Sequence, residues 1–273
     1  MTVPIAVTIA GSDSGGGAGI QADLKTFSAL GVYGASVVTA LTAQNTRGVT
    51  AIHDAPASFI AQQIDAVFSD LRVGATKIGM LSQPAAIEAV AAGLARHATG
   101  DVILDPVMVA TSGDRLLAPE AIELLRRLLL PRAAIITPNL PEAAALLETA
   151  PAGNETDMQR QAEQLLEFGP RAVLIKGGHA ASAESVDLLV DAAGMTRFAT
   201  PRIATKNTHG TGCTLSSAIA AERAKGRLLL DAVRTAKDYV TAAIAAADHL
   251  GVGGGNGPVH HFHAWWQDDT ASR

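Results

Sequence analysis

Two glycine-rich stretches and one cysteine hold the residues of this chain best suited to chemistry. One stretch is Gly11-Ser12-Asp13-Ser14-Gly15-Gly16-Gly17-Ala18-Gly19; the other is Asn207-Thr208-His209-Gly210-Thr211-Gly212-Cys213-Thr214, which opens a helix. In the second, two glycines let the backbone turn its N–H groups inward, and a helix N-terminus adds about half a positive charge. That is an anion hole, suited to charge developing on a transferring phosphoryl group. Cys213 stands in the first turn, where a thiol becomes more acidic. A small buried side chain packing the helix start accounts for it equally well. The first stretch lacks the Lys-Ser/Thr of a P-loop and the glycine spacing of a dinucleotide loop. Its glycines fit tight turns or backbone lying close against a small substrate.

Histidines offer a second kind of chemistry. His260-His261-x-His263 has ligand-capable spacing, but no neighbouring cysteine or acid completes a metal set. A packed or solvated tail is the better reading. His209, inside the anion loop, shapes that loop or touches phosphate.

The elements that must position these residues follow a β-α-β rhythm. Residues 5–9 read as a buried strand, and Ile20, Leu24, Phe27 and Leu30 mark the apolar face of the next helix, stopped by Gly31. A strand over 36–41 leads into a loop from Gln44 to Asp54. Helices on Ile60, Ile64, Val67, Phe68 and Leu71 and on Ile87, Val90 and Leu94 alternate with strands at 75–78 and 101–105, the latter ended by Pro106. Helix 119–129, strand 133–137, helices 141–148 and 156–168, and strand 171–176 follow. The rhythm breaks at 185–200, a hairpin turning on Asp191-Ala192-Ala193-Gly194; helices 213–225 and 229–249 close the chain. This pattern predicts an α/β fold of three layers, a mostly parallel central sheet with helices on both faces. No linker or repeat divides it, so one domain over 1–273 is expected.

Composition narrows the function. The chain has 273 residues, 48% of them hydrophobic and 17% charged, which excludes a disordered or fibrous protein. A net charge of −5 and 4% aromatic residues argue against nucleic acid as a partner. One cysteine cannot form an intramolecular disulfide, so a reducing cytoplasm is expected. The sequence carries no signal-peptide pattern and no apolar run of membrane-spanning length.

The motifs taken together are more specific than any one. In order along the chain, Gly11 to Thr26, Thr42-Ala43-Gln44-Asn45-Thr46, Asp105-Pro106-Val107-Met108, Thr137-Pro138-Asn139-Leu140-Pro141-Glu142, Lys176-Gly177-Gly178-His179 and Asn207 to Cys213 resemble the hydroxymethylpyrimidine/phosphomethylpyrimidine kinases of thiamine biosynthesis, within the ribokinase-like superfamily. The resemblance runs from residue 5 to the tail at Gly257–Phe262. It departs from the family mainly in that tail and in details such as Ser217.

The resemblance implies ATP-dependent phosphorylation of 4-amino-5-hydroxymethyl-2-methylpyrimidine to its monophosphate and then to the diphosphate. Cys213 is then the catalytic base, standing where the wider superfamily has Asp, with Gly210, Thr211 and Gly212 as the anion hole. A thiol's ordinary pKa of about 8.5 is high for that task, so the helix terminus is expected to lower it. Gln44 would contact the pyrimidine, its carboxamide complementing an aminopyrimidine edge. Gly11, Asp23, Met80 and Val107 fall where the family lines its pyrimidine pocket; Asp23 also reads as a helix-surface carboxylate, and Met80 and Val107 as core. Lys176, Thr208 and His209 would serve the ATP phosphates. Asp105, Asn139 and Glu142 would organise Mg²⁺, although Glu142 equally reads as a first-turn helix carboxylate. The same resemblance implies a homodimer; the hairpin 185–200 and the loop 107–118 are candidate mobile segments.

Three other readings stand beside it. A vitamin B6 kinase would act on pyridoxal, whose hydroxymethyl-bearing ring is similar. A cysteine-nucleophile hydrolase or transferase would pass through a covalent adduct at Cys213. A pyrimidine-binding sensor would have inert catalytic positions, against which Cys213, Lys176 and Glu142 together argue.

Overall fold

The computed structural model describes residues 2–97, 99–108, 119–178 and 183–266. The core of the fold is one nine-stranded sheet of strand order β3-β2-β1-β4-β5-β6-β7-β8-β9. Here β1 is Ile5–Asp13, β2 Tyr33–Asn45, β3 Gly48–Asp54, β4 Ala75–Ile78, β5 Asp101–Leu104, β6 Ile135–Ile136, β7 Ala172–Lys176, β8 Glu184–Asp191 and β9 Gly194–Pro201. Strands β2, β1, β4, β5, β6 and β7 run parallel, while β3 and the β8–β9 pair are antiparallel edges.

Alternation along the buried strands sorts side chains to two faces. Val7, Ile9, Val173 and Ile175 point into one core, which is covered by α2 (Ala57–Phe68), α3 (Pro84–Arg96), α4 (Pro119–Leu128), α5 (Leu140–Leu147) and α6 (Glu155–Leu166). Ala6, Ala75, Ala172 and Leu174 face the other core, with α1 (Gly19–Ala29), α7 (Thr211–Ala224) and α8 (Leu229–Ala245). Alanines on this second face let α7, itself buried from Thr214 to Glu222, lie close against the strands. The three-layer α/β expectation therefore holds. Among the described residues no helix is long and apolar enough to cross a membrane.

The chain differs from the sequence reading at its polar edges. The expected loop from Gln44 to Asp54 is mostly strand β3, paired antiparallel with β2. Its residues are exposed or half-buried, so no apolar alternation announced it. The strand expected over 133–137 shrinks to Ile135–Ile136. The hairpin turns on two residues rather than four, with Asp191 paired to Gly194 and the Asp191 carboxylate accepting from the Ala193 N–H at 2.8 Å. That hairpin is an integral edge of the sheet, paired along β7, rather than a free flap. Of the loop 107–118, residues 109–118 lie outside the described residues, as does His179.

One position tests how tightly the first core is filled. A methyl group on Gly93 of α3 would stand 2.7 Å from Ile64 Cγ2 on α2. Gly93→Ala should lower stability by about 1–3 kcal/mol, the range for overpacking, in urea unfolding, and Ile64→Val in the same chain, which removes the Cδ1 that the methyl group would meet at 2.9 Å, should recover part of the loss.

Candidate active site

β1 is the point where the chain's path across the sheet reverses, since β2 lies on one side of it and β4 on the other. Ligands bind at the carboxyl ends of strands at such points. A cleft of about 810 Å³ opens there. Into it run the residues that follow β1, β4, β5, β6 and β7, together with the first turn of α7. The cleft brings together Gly11, Gln44 and Met80 at one end, while Val107 lines it beside Asp105, whose carbonyl accepts the Val107 N–H at 2.8 Å. Asp105, Asn139, Glu142 and Lys176 form its opposite wall, and residues 208–213 line the space between.

At the first end, Ser14 and Gln44 latch two segments together. The Ser14 hydroxyl donates to the Gln44 carbonyl at 2.8 Å, and the Gln44 N–H donates back at 2.9 Å. Thr42 Oγ1 donates to the Gln44 carboxamide oxygen at 3.0 Å, which orients the amide. A Cβ on Gly11 would sit 2.5 Å from the Met80 methyl, the far end of a flexible side chain that would have to shift to admit it.

The two glycine stretches meet through one carboxylate that sequence reasoning missed. Asp13, almost fully buried, accepts from the N–H groups of Gly15, Gly17 and Ala18 at 2.8–3.0 Å. Its Oδ2 also lies 2.9 Å from His209 Nε2. Burial works against this charge, yet the His209 bond and the backbone donors hold the carboxyl below its ordinary range. The signal was present in the Asp-x-Gly spacing, but only the fold supplies the histidine. Beyond the loop, Gly210 adopts φ +80°, and a Cβ there would collide with the Gly17 carbonyl oxygen. The His209 backbone bonds to the tail at Gly257 and Val259, and the Gly257 N–H donates to Asn207 Oδ1 at 2.9 Å. The histidine-rich tail is thus packed: Thr214 Oγ1 meets His261 Nε2 at 3.1 Å, and burial pushes the His261 ring down to about 3.

Gly210 caps α7 without a side chain, so the first-turn N–H groups of Gly212 and Cys213 have no intrahelical partner. The Gly19 N–H donates to the Cys213 sulfur. Here the expected acid shift fails. Burial pushes the thiol up to about 11, with Asp23 and Asp105 adding to the rise and Lys77 opposing it. The half-charge of a helix end is weaker than the loss of solvent around a thiolate.

On the far wall, Lys176 donates to Asp105 Oδ1 at 2.8 Å and stands 3.8 Å from Glu142 Oε2. Thr137 also donates to Asp105, at 3.1 Å. Asn139 and Glu142 form a reciprocal capping box at the start of α5, Asn139 Oδ1 accepting the Glu142 N–H and Glu142 Oε2 accepting the Asn139 N–H. The reading of Glu142 as a first-turn helix carboxylate therefore holds. Burial raises Glu142 to about 7, the Asp105 charge adds to the rise, and Lys176 opposes both. The loop after Lys176 is fixed by Asp187, which accepts the Gly177 N–H at 3.0 Å and the Lys237 ammonium at 2.8 Å.

One predicted site residue is elsewhere. Asp23 is neither a pyrimidine contact nor a surface carboxylate; it is fully buried beneath the cleft and paired with Lys77. A carboxylate on α1 points inward because the apolar stripe of that helix surrounds it, and Lys77 sits in a buried strand to receive it. A lysine inside the run Ala75-Thr76-Lys77-Ile78 was the available signal.

Comparison with known proteins identifies the family of this chain. Residues 13–260 match the family described as phosphomethylpyrimidine kinase. The hydroxymethylpyrimidine/phosphomethylpyrimidine kinase of Rhizobium meliloti is 60% identical over 97% of this chain and 99% of its own length. That of Escherichia coli is 57% identical over 96% and 98%. Among solved structures, the phosphomethylpyrimidine kinase of Clostridium difficile is 46% identical, with a TM-score of 0.79 over 89% of this chain and all of its own. A Staphylococcus aureus pyridoxal kinase in complex with ADP reaches a TM-score of 0.89 at 31% identity, over 97% of this chain and 96% of its own.

The Asp13–His209 contact predicts a pH signature. A carboxyl held below its ordinary range contributes stability above that range and loses it as pH falls through its depressed folded value. Asp13→Asn should cost about 1–3 kcal/mol at neutral pH, as for a buried hydrogen-bonded charge, and its Tm deficit should shrink as the medium becomes strongly acidic. A deficit that stays constant with pH would contradict the charge's role.

Proposed function

The chain belongs to the phosphomethylpyrimidine kinase family, and from that premise we propose how its own residues carry out the reaction. The reaction is ATP-dependent phosphorylation of 4-amino-5-hydroxymethyl-2-methylpyrimidine to the monophosphate, and of the monophosphate to the diphosphate, in thiamine biosynthesis. The observation that carries the residue assignment is a single cleft holding Gln44 at one end, Lys176 and Asp105 at the other, and the Gly210–Cys213 turn between them.

Gln44, its amide oriented by Thr42, reads the aminopyrimidine edge, with Gly11, Met80 and Val107 around the ring. The hydroxymethyl oxygen then faces the Cys213 sulfur and the backbone donors of Gly210, Thr211 and Gly212. The oxygen attacks the γ-phosphorus, its proton passes to the Cys213 thiolate, and the bond from phosphorus to the ADP oxygen breaks. The anion hole receives the oxygens of the transferred group, and Lys176 neutralises phosphate charge. Thr208 and His209 hold the loop in place; the supporting observation is that Thr211 bonds the Thr208 carbonyl and His209 bonds Asp13.

Magnesium fits the far wall by the chemistry of its donors. Asp105 and Glu142 are two carboxylates beside a single ammonium, and burial together with Asp105 keeps Glu142 near 7, a site short of positive charge. A hard cation that keeps several waters needs no more than two acids. Asp105 and Glu142 would hold it, with Asn139 beside them, and when bound it supplies charge neutralisation to the phosphates. A cytoplasmic homodimer completes this reading. It rests on the family resemblance and on a lone thiol that must stay reduced to serve as base.

Vitamin B6 chemistry has weaker support. Staphylococcus aureus pyridoxal kinase, solved with AMP-PCP and pyridoxal, is 30% identical, half the identity of the Rhizobium pyrimidine kinase.

The two steps of the reaction separate the roles. An alcohol must lose a proton, whereas a phosphate acceptor is already largely ionised at neutral pH. Cys213→Ala should therefore slow the first phosphorylation by about 10²–10⁴-fold, the range for general-base loss, and spare most of the second. Because the thiol is pushed up to about 11, the wild-type first step should climb as pH rises above neutrality, and this rise should vanish in the variant. Equal loss in both steps would refute the base role. Gln44→Ala should raise KM for both pyrimidines by about tenfold, the worth of one hydrogen bond, with KM for ATP unchanged.

A further inference from the structure

The mechanism above leaves unused a buried ion pair directly beneath the cleft floor. Lys77 of β4 and Asp23 of α1 are both fully buried, with the ammonium 2.9 and 3.0 Å from the two carboxylate oxygens. Two hydroxyls complete the carboxylate: Thr8 of β1 donates to Oδ2 and Ser217 of α7 donates to Oδ1, each at 2.6 Å. Four elements thus converge on one side chain. Ser217 lies four residues beyond Cys213, on the same face of α7. The Asp23 bond therefore fixes the helix face that presents the thiol. The exit of β4 is packed on the ammonium as well, since a Cβ on Gly79 would stand 2.7 Å from Lys77 Nζ. Lys77 still reaches the cleft floor, which it lines with Cys213 and Asp105.

A pair of this kind is costly as mere filling. Desolvating two charges offsets much of their attraction, and well-packed apolar residues of similar volume often serve stability as well or better. What apolar residues would not supply is a fixed charge. The ionisable groups that face Cys213 are Lys77 from β4, Asp23 from α1, Asp105 beyond β5 and, toward the phosphate wall, Lys176 at the end of β7. Lys176 is engaged by Asp105 and Glu142, which leaves Lys77 as the cation opposing the acids at the sulfur.

We propose that Lys77 is a positioning residue for phosphorylation of the acceptor alcohol: anchored by Asp23 and Ser217, it sets a fixed positive charge behind the Cys213 sulfur and locks the helix turn that presents it. This rests on the base role of Cys213. The chain's lone cysteine makes that sulfur directly readable, because any iodoacetamide adduct seen by intact-protein mass is at Cys213.

The test compares the alkylation rate at slightly alkaline pH with kcat and KM for the pyrimidine alcohol in two variants. Asp23→Asn keeps the ammonium but removes its counter-charge, so alkylation should speed up about tenfold, the effect of one pKa unit. Asp23→Leu/Lys77→Met removes both charges in apolar volume; alkylation should slow about tenfold, and kcat should fall by a similar factor while KM stays within about twofold. A merely structural pair would move neither alkylation rate in these opposite directions. Wild-type alkylation in Asp23→Asn overturns the proposal, and that arm decides alone if circular dichroism shows the double variant unfolded. Alkylation that moves as stated while kcat does not change refutes the base role of Cys213 and, with it, the catalytic part of this inference.

Discussion

The arrangement of the cleft depends on one buried carboxylate, that of Asp13. It gathers three backbone N–H groups of the first glycine stretch and the His209 ring of the second, across 196 residues of chain. Without it, two mobile glycine segments would each have to be held by their own local turns. With it, Gly17 and Gly210 pack so closely that only glycine fits at 210, and the first turn of α7 has a fixed place. Backbone donors stabilise a transferring group only when they need no reorganisation at the moment of reaction. In the proposed mechanism the Asp13 contact meets that condition by fixing the loop backbone in advance.

Around that contact the fold arranges charge by depth. The upper wall carries Lys176 between Asp105 and Glu142; the floor carries Lys77 on Asp23, with Cys213 between the two levels. Both ammonium groups are held charged by carboxylates despite burial. The thiol, in contrast, is pushed toward its neutral form. The cleft thus holds its positive charge in two buried, carboxylate-paired lysines, and in the proposed mechanism only the minor thiolate fraction of Cys213 can accept the proton of the acceptor alcohol. The histidine-rich tail packs into the fold. His261 is neutral, bonded to Thr214 and packed behind α7, and the segment around Gly257 straps the anion loop from outside.

Much of this was legible in the residues. Apolar runs such as Val7–Ile9 and Leu174–Ile175 mark buried parallel strands because both faces of the sheet are covered. The order of glycine loop, Asn-x-x-Glu, strand-end lysine and Gly-Thr-Gly-Cys was enough to identify the family and to point to residues that the fold gathers around one cleft. What was not legible has a common cause. Strand β3 is a polar edge held by pairing with β2, so its own side chains carry no pattern. Asp23 looked like a pocket or surface carboxylate because nothing nearby in sequence reveals Lys77, 54 residues away. The raised thiol likewise follows from burial and from Asp23 and Asp105, none of which a helix-start motif encodes. Local periodicity reports faces; long-range charge partners appear only once the chain is folded.

The most direct test of the account is a coupled ADP-release assay of the purified chain on hydroxymethylpyrimidine, its monophosphate and pyridoxal, with products identified by mass. The account predicts ADP release with both pyrimidines, the diphosphate as final product, and slower turnover of pyridoxal. Faster turnover of pyridoxal, or an alcohol phosphorylated once with no diphosphate formed, would contradict it.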